Sequence, residues 1–258
     1  MVRIAIIDDG ICTEEYNILP IVENIVVDED GKVFRAMSTD TVNDIKGWHG
    51  TICAAIISKH CKDAELINII MSADHVDNTI SAMSLYSALE LCLSLNVDII
   101  NISAGIIDIA YYYDFLNIIN RLYKNNIYIV AASSIDERIT IPASYSNVIG
   151  VLYSETVEMN GYRIDNSLLC GANFLVNNIE FIRYRNGNLH CFGKSSSFSA
   201  PLICAKIADS INSGNIKNKK QFRRIAPEVG YDWIEDPIIY ILTTKEVFIN
   251  KEEVVFDN

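Results

Sequence analysis

The chain is expected to fold as an α/β domain, a doubly wound and mostly parallel sheet flanked by helices. Three observations predict this. The middle of the chain alternates β-rich apolar runs with segments of helical period. Its longest apolar stretch, Val97 to Tyr113, reads as a buried parallel strand followed by its exit loop. And 258 residues, half of them apolar, suffice to bury one large core.

Taken in order, Val2, Ile4 and the Ile6-Ile7 pair form a first strand that ends at Asp8. His49 opens a helix over Thr51–Lys59, with Ile52, Ala55 and Ile56 facing the sheet. Glu65–Met71 is the next strand, and Asn78–Leu95 a helix through Met83, Tyr86, Ala88, Leu89 and Leu93. Val97–Ile102 returns as a strand. Tyr113–Lys124 is helical through Phe115, Leu116, Ile119 and Leu122, and Ile127–Ala132 is again a strand. Ser197 opens a last helix to about Ile211, with Ile203, Ile207 and Ile211 on one face and Pro201 placed in its first turn. Folds of this kind bind ligands at the carboxyl ends of their strands, which is where Asp8, His49 and Ser197 fall.

No boundary, repeat or low-complexity tract divides the chain, so residues 1–258 are read as one domain. A net charge of −12 repels phosphates and argues against nucleic acid as a partner. Asp98, Asn101 and Asp108 interrupt the Val97–Tyr113 stretch, which therefore falls short of a membrane span. The amino terminus shows no charged-then-apolar leader. Seven cysteines, an odd number without CxxC pairs, read as reduced thiols, so the expected location is the cytoplasm. His60-Cys61 and His190-Cys191 have no spacing that joins them around zinc; neither a metal nor another cofactor is expected.

Aspartate, histidine and serine in the order Asp8, His49, Ser197 follow one of the chain orders of a hydrolytic triad. A serine nucleophile needs a base to take its proton, and the base needs an acid to hold its tautomer and stabilise its cation. Each residue also has a structural reading as a turn or cap residue. On that reading Asp9 is a surface or structural neighbour, Ser195 and Ser196 are capping residues, and His60, His75 and His190 are non-catalytic.

The segments around the three residues resemble the subtilisin-like serine proteases. Ile6-Ile7-Asp8-Asp9-Gly10 is similar to that family's strand ending in Asp-Ser/Thr-Gly, with Asp9 in the variable place. His49-Gly50-Thr51 matches its His-Gly-Thr. Ser195-Ser196-Ser197-Phe198-Ser199-Ala200-Pro201 is similar to Gly-Thr-Ser-x-Ala-x-Pro, with serines replacing the glycine and threonine. Asp98–Gly105 resembles the strand lining the substrate groove, and Pro142-Ala143 with Val148–Val151 resembles a further segment, so the likeness spans about residues 1–213. The remainder, 214–258, reads as a packed extension or oligomer contact, with a basic run from Lys217 to Arg224. The resemblance implies a subtilisin-like fold, catalysis by Asp8, His49 and Ser197, and a peptide lying along Ser103-Ala104-Gly105. It places the main specificity pocket in the stretch 166–191.

Two departures from that family matter. Its oxyanion-binding asparagine aligns with Ile135, which cannot donate a hydrogen bond, and loss of such a donor costs about 10²–10³ in rate. The oxyanion is then left to the Ser197 amide together with Ser134, a protonated Asp136 or backbone amides. Nor does an inhibitory pro-region precede the first strand, since Met1 lies seven residues before Asp8. The expected activity is that of an intracellular serine endopeptidase, slow and narrow, processing a peptide or protein substrate. The alternatives are a peptide-binding protein that keeps the groove without turnover, and a phospho-acceptor domain using the Asp8-Asp9 pair.

Overall fold

A computed structural model describes residues 1–35, 48–71, 80–165, 168 and 170–215. His75, the start of the expected Asn78 helix, the basic run and almost all of the C-terminal extension lie outside the described residues.

The first strand, β1 (Val2–Asp8), is followed by β2 (Ile21–Val27), β3 (Val33–Arg35) and helix α1 (Trp48–His60). Next come β4 (Ala64–Met71), α2 (Ala82–Cys92) and β5 (Ile99–Ile102). A single 3₁₀ turn, Ile109–Tyr111, leads into α3 (Tyr112–Lys124), then β6 (Tyr128–Ala132) and β7 (Ile149–Tyr153). Short strands β8 (Gly161–Ile164), β9 (Phe174–Asn177), β10 (Ile179–Arg183) and β11 (Leu189–Gly193) precede the final helix α4 (Ser196–Asn212).

Among the described residues nine strands form one sheet in the order β3-β2-β4-β1-β5-β6-β7-β9-β8, while β10 and β11 pair as a separate hairpin. The edge pairs β2–β3 and β8–β9 are antiparallel and every pairing between them is parallel. This is the expected mostly parallel, doubly wound α/β architecture.

Two apolar clusters, one on each face, explain why the inner strands read as continuous apolar runs. Ile4 and Ile6 join Ile52, Ile56, Ile203 and Ile207 under α1 and α4. Ala5 and Ile7 join Leu85, Leu89, Phe115 and Ile119 under α2 and α3. Since side chains alternate along a strand, Asp8 falls on the α1 and α4 face, as does Ser103 two residues past Asn101. β1 also pairs with β4 on one side and β5 on the other, opening a crevice at the carboxyl end of β1.

Element boundaries moved modestly. The second helix begins at Ala82 because Ser81 caps it, accepting from the Ser84 amide. β5 starts at Ile99 after Asn96 reverses the chain at φ 51. The strands β2, β3 and β7–β11 carry no run distinct enough to be read from period alone. Pro201 is the sixth residue of α4, a turn beyond its expected place, and the consequence appears at the site.

Candidate active site

Asp8 ends β1 with a buried side chain, and both its carboxylate oxygens lie 3.0 Å from His49 Nδ1. The Asp9 amide donates to Asp8 Oδ1 at 2.9 Å, which fixes the carboxylate from behind. His49 is the second residue of α1, and the first turn of that helix packs tightly against the end of β1. A Cβ on Gly50 would come 2.4 Å from the Gly10 carbonyl oxygen and 3.0 Å from Asp8 Cβ, so only glycine permits the approach.

Asp9 is more than a surface neighbour. Its Oδ2 accepts from the His49 amide at 3.1 Å and its Oδ1 from the Gly50 amide at 2.7 Å. One carboxylate thus caps two unpaired amides of the helix carrying the imidazole. Burial, then the Asp8 charge beside it, push the Asp9 pKa up, opposed by those two hydrogen bonds. The sequence carried a signal for this, an acid directly after the strand-ending aspartate.

Ser197 lies at the start of α4, and its neighbour Phe198 stacks on the His49 ring at 5.2 Å between centroids. The Ser197 hydroxyl makes no hydrogen bond to His49 in this conformation; such bonds often tighten only when substrate binds. Its carbonyl is held elsewhere. Pro201 has no N–H for the carbonyl four residues earlier, and that carbonyl, on Ser197, accepts instead from Ser103 Oγ at 3.0 Å and faces Cys53 Sγ at 3.7 Å. Ser103 Oγ also accepts from Asn101 Nδ2 at 3.0 Å and from Cys53 Sγ at 3.3 Å. Besides its expected place along the groove, then, Ser103 ties β5 to the start of α4.

Changing Ser103 to alanine should destabilise the fold by about 1–3 kcal/mol, because Asn101 and the Ser197 carbonyl lose a buried partner together. Urea unfolding checks this; a loss under about 0.5 kcal/mol, the ordinary size of a surface substitution, would show that the tie carries no weight.

Burial resists charging of the His49 ring, yet its pKa stands above the ordinary imidazole value, raised first by a charge on the neighbouring Cys53 and next by the hydrogen bond to the Asp8 carboxylate. The first of these needs a thiolate, and burial and the Asp8 charge push the Cys53 pKa up, so with a neutral thiol the Asp8 carboxylate is the partner that favours the cation. Asp8, His49 and Cys53 each turn a ligand atom inward within 4.8 Å of one another, the one such group among the described residues. A cation there would have to displace the Asp8 to His49 hydrogen bonds. His60 and His190 do not meet. His60 pairs with the buried Glu180, and His190 packs on Tyr184.

A cavity of about 330 Å³ opens beside Ser197, lined by Ser103–Gly105, Ile107, Ala132–Ile135, Thr140 and Lys194–Ser197. None of the described residues of the stretch 166–191 lines it; the segment after β6 and the approach to α4 do. Ile135 is 60% exposed at its rim. The Ser134 amide donates to Thr140 Oγ1 at 3.1 Å, leaving Ser134 only its hydroxyl for a ligand. Asp136 pairs with Arg138 at 3.0 Å.

The sequence profile of the subtilase family matches residues 1–226. The chain belongs to the subtilase family. Solved structures with the same fold include the prenylagaramide maturation protease PagA, at TM-score 0.57 and 17% identity, over 97% of this subtilase and 93% of that chain. A lanthipeptide protease superposes at TM-score 0.61 and 14% identity, over 88% and 79%. A mutant of the PatA protease domain does so at 0.55 and 15%, over 85% and 84%. At these identities the likeness is one of fold. No curated protein sequence matches this subtilase. Among its described residues, no helix is long and apolar enough to cross a membrane.

Proposed function

We propose that this subtilase is a slow serine endopeptidase that matures a peptide or protein precursor, with Ser197 as nucleophile, His49 as general base and Asp8 as its orienting acid. The observation that carries the reading is the Asp8 carboxylate bracketing His49 Nδ1 at 3.0 Å, at the carboxyl edge of the sheet beside the Ser197 helix start. A peptide enters extended along Ser103-Ala104-Gly105, pairing main chain to main chain. Ser197 Oγ adds to the scissile carbonyl as His49 Nε2 takes its proton, and Asp8 stabilises the imidazolium. The C–N bond then breaks as His49 returns the proton to the leaving amine. Water, deprotonated by His49, releases the acid and restores the hydroxyl.

Precursor processing is supported by the printed descriptions of two structural neighbours, a maturation protease and a lanthipeptide protease. Slowness is supported by Ile135, which offers no donor at the rim where the oxyanion forms. A reducing, cytoplasmic setting is supported by seven unbridged cysteines, five of them buried.

A fluorophosphonate probe tests the nucleophile. It should label the protein at Ser197; a protein that stays unlabelled, or that is labelled elsewhere, would reject the assignment.

The pH profile follows from the His49 shift. A general base works only when neutral, and a raised pKa delays deprotonation, so kcat/KM should rise with pH through a value above the ordinary imidazole value of about 6.5. A rising limb centred at or below that value would contradict the assignment of His49 as the base held by Asp8.

A further inference from the structure

We propose that Ser195 is a positioning residue that sets the rate of acyl transfer, because its hydroxyl holds the Ser197 amide closed in the free enzyme. The inference rests on the serine-protease reading above. Ser195 is the N-cap of α4, with extended backbone at φ −147 and ψ 138, and its Oγ accepts from the Ser197 N–H at 3.2 Å. In an N-cap of this kind the side-chain oxygen satisfies the second or third amide of the helix. Here the second amide belongs to the proposed nucleophile, and it is also the amide a tetrahedral oxyanion beside Ser197 would use.

A glycine at this position would leave that N–H open. Serine fills it. Release by backbone motion is opposed, because the Ser195 carbonyl accepts from the Ser199 amide at 3.0 Å and from Ser199 Oγ at 2.8 Å. The hydroxyl must therefore rotate away about χ1 as the oxyanion forms. The groups nearby offer little relief. Ile135 has no donor and the Ser134 amide is held by Thr140, which leaves Ser134 only its hydroxyl. An interaction given up only as charge develops on the oxygen lowers kcat rather than substrate affinity.

Ser195→Gly removes the hydroxyl and keeps most of the cap, because glycine is an acceptable N-cap. Fluorophosphonate labelling of Ser197, whose phosphoryl oxygen seeks the same amide, should quicken by about 2- to 10-fold, the range spanned by one neutral hydrogen bond. Ser195→Asp, a stronger acceptor with a charge opposed to the oxyanion, should slow it. Backbone amide exchange read by NMR supplies a measure independent of chemistry: the Ser197 amide should lose protection in Ser195→Gly while the rest of α4 keeps it. Equal or slower labelling in Ser195→Gly, with Ser197 still the labelled residue, would overturn the role of Ser195 alone. An amide that gains no exchange would do the same. Absence of labelling in both proteins, with the amide released, would overturn the nucleophile assignment and this inference with it.

Discussion

Changing Ser197 to alanine is expected to lower kcat for a cleaved peptide by about 10⁴- to 10⁶-fold. The physical reason is that the hydroxyl supplies the covalent step: without it, His49 can at best activate water against a carbonyl that the site binds but does not attack. The fold should survive. The Ser197 contacts that join elements run through its carbonyl, to Ser103 Oγ and Cys53 Sγ, and alanine keeps that carbonyl. Phe198 still stacks on His49 in such a variant, so substrate affinity should change little. Single-turnover peptide cleavage with wild-type and variant protein measures the ratio, with unfolding in urea as the check on structure. A variant retaining more than about a tenth of wild-type kcat, far above the triad expectation, would remove Ser197 from the chemistry.

Changing Ile135 to asparagine is expected to raise kcat by about 10²–10³-fold on an unfolded substrate such as casein. Ile135 follows Ser134 in the turn after β6, lines the cavity beside Ser197, and is mostly exposed, so an amide there costs little stability. What it adds is a hydrogen bond made to the oxyanion and not to the ground-state carbonyl, which moves kcat and leaves KM nearly unchanged. The gain should grow further when combined with Ser195→Gly, because both changes serve the same oxygen and neighbouring sites couple. If kcat stays at the wild-type value, the turn does not face the oxyanion, and the low rate has another origin. A fall in KM with kcat unchanged would point to ground-state binding instead.

Much of the fold was legible because the inner strands are apolar on both faces and the helices carry one apolar stripe. Glu65–Met71 was read within a residue of its observed start, and Tyr113–Lys124 within one as well. The strands not legible in the sequence, β2, β3 and β7–β11, are short or half exposed, and what stabilises them is pairing with distant chain. The Asp8, His49 and Ser197 segments were legible as motifs, and the contact between Asp8 and His49 followed. Asp9 is legible as a surface or structural neighbour, and it is the structural one, capping the His49 and Gly50 amides. The place of Pro201 was read a turn too early, and with it went the link from the Ser197 carbonyl to Ser103.

The chain by itself determined the α/β class, the parity that puts Asp8 on one face of the sheet, and the order of the three site segments. These are carried by local period and by short spacings, which need no knowledge of what lies across the sheet. Only the tertiary structure decided what Asp9, Ser103 and Cys53 touch, and which amide the Ser195 cap takes. Asp9 meets the His49 amide across 40 residues of chain, and Ser103 meets the Ser197 carbonyl across 94. Ser195 is local, but whether its hydroxyl takes the Ser197 amide depends on where α4 begins. That start is set by which of the first amides of α4 find partners and by the Tyr153 amide, which holds the Ser196 hydroxyl across 43 residues of chain.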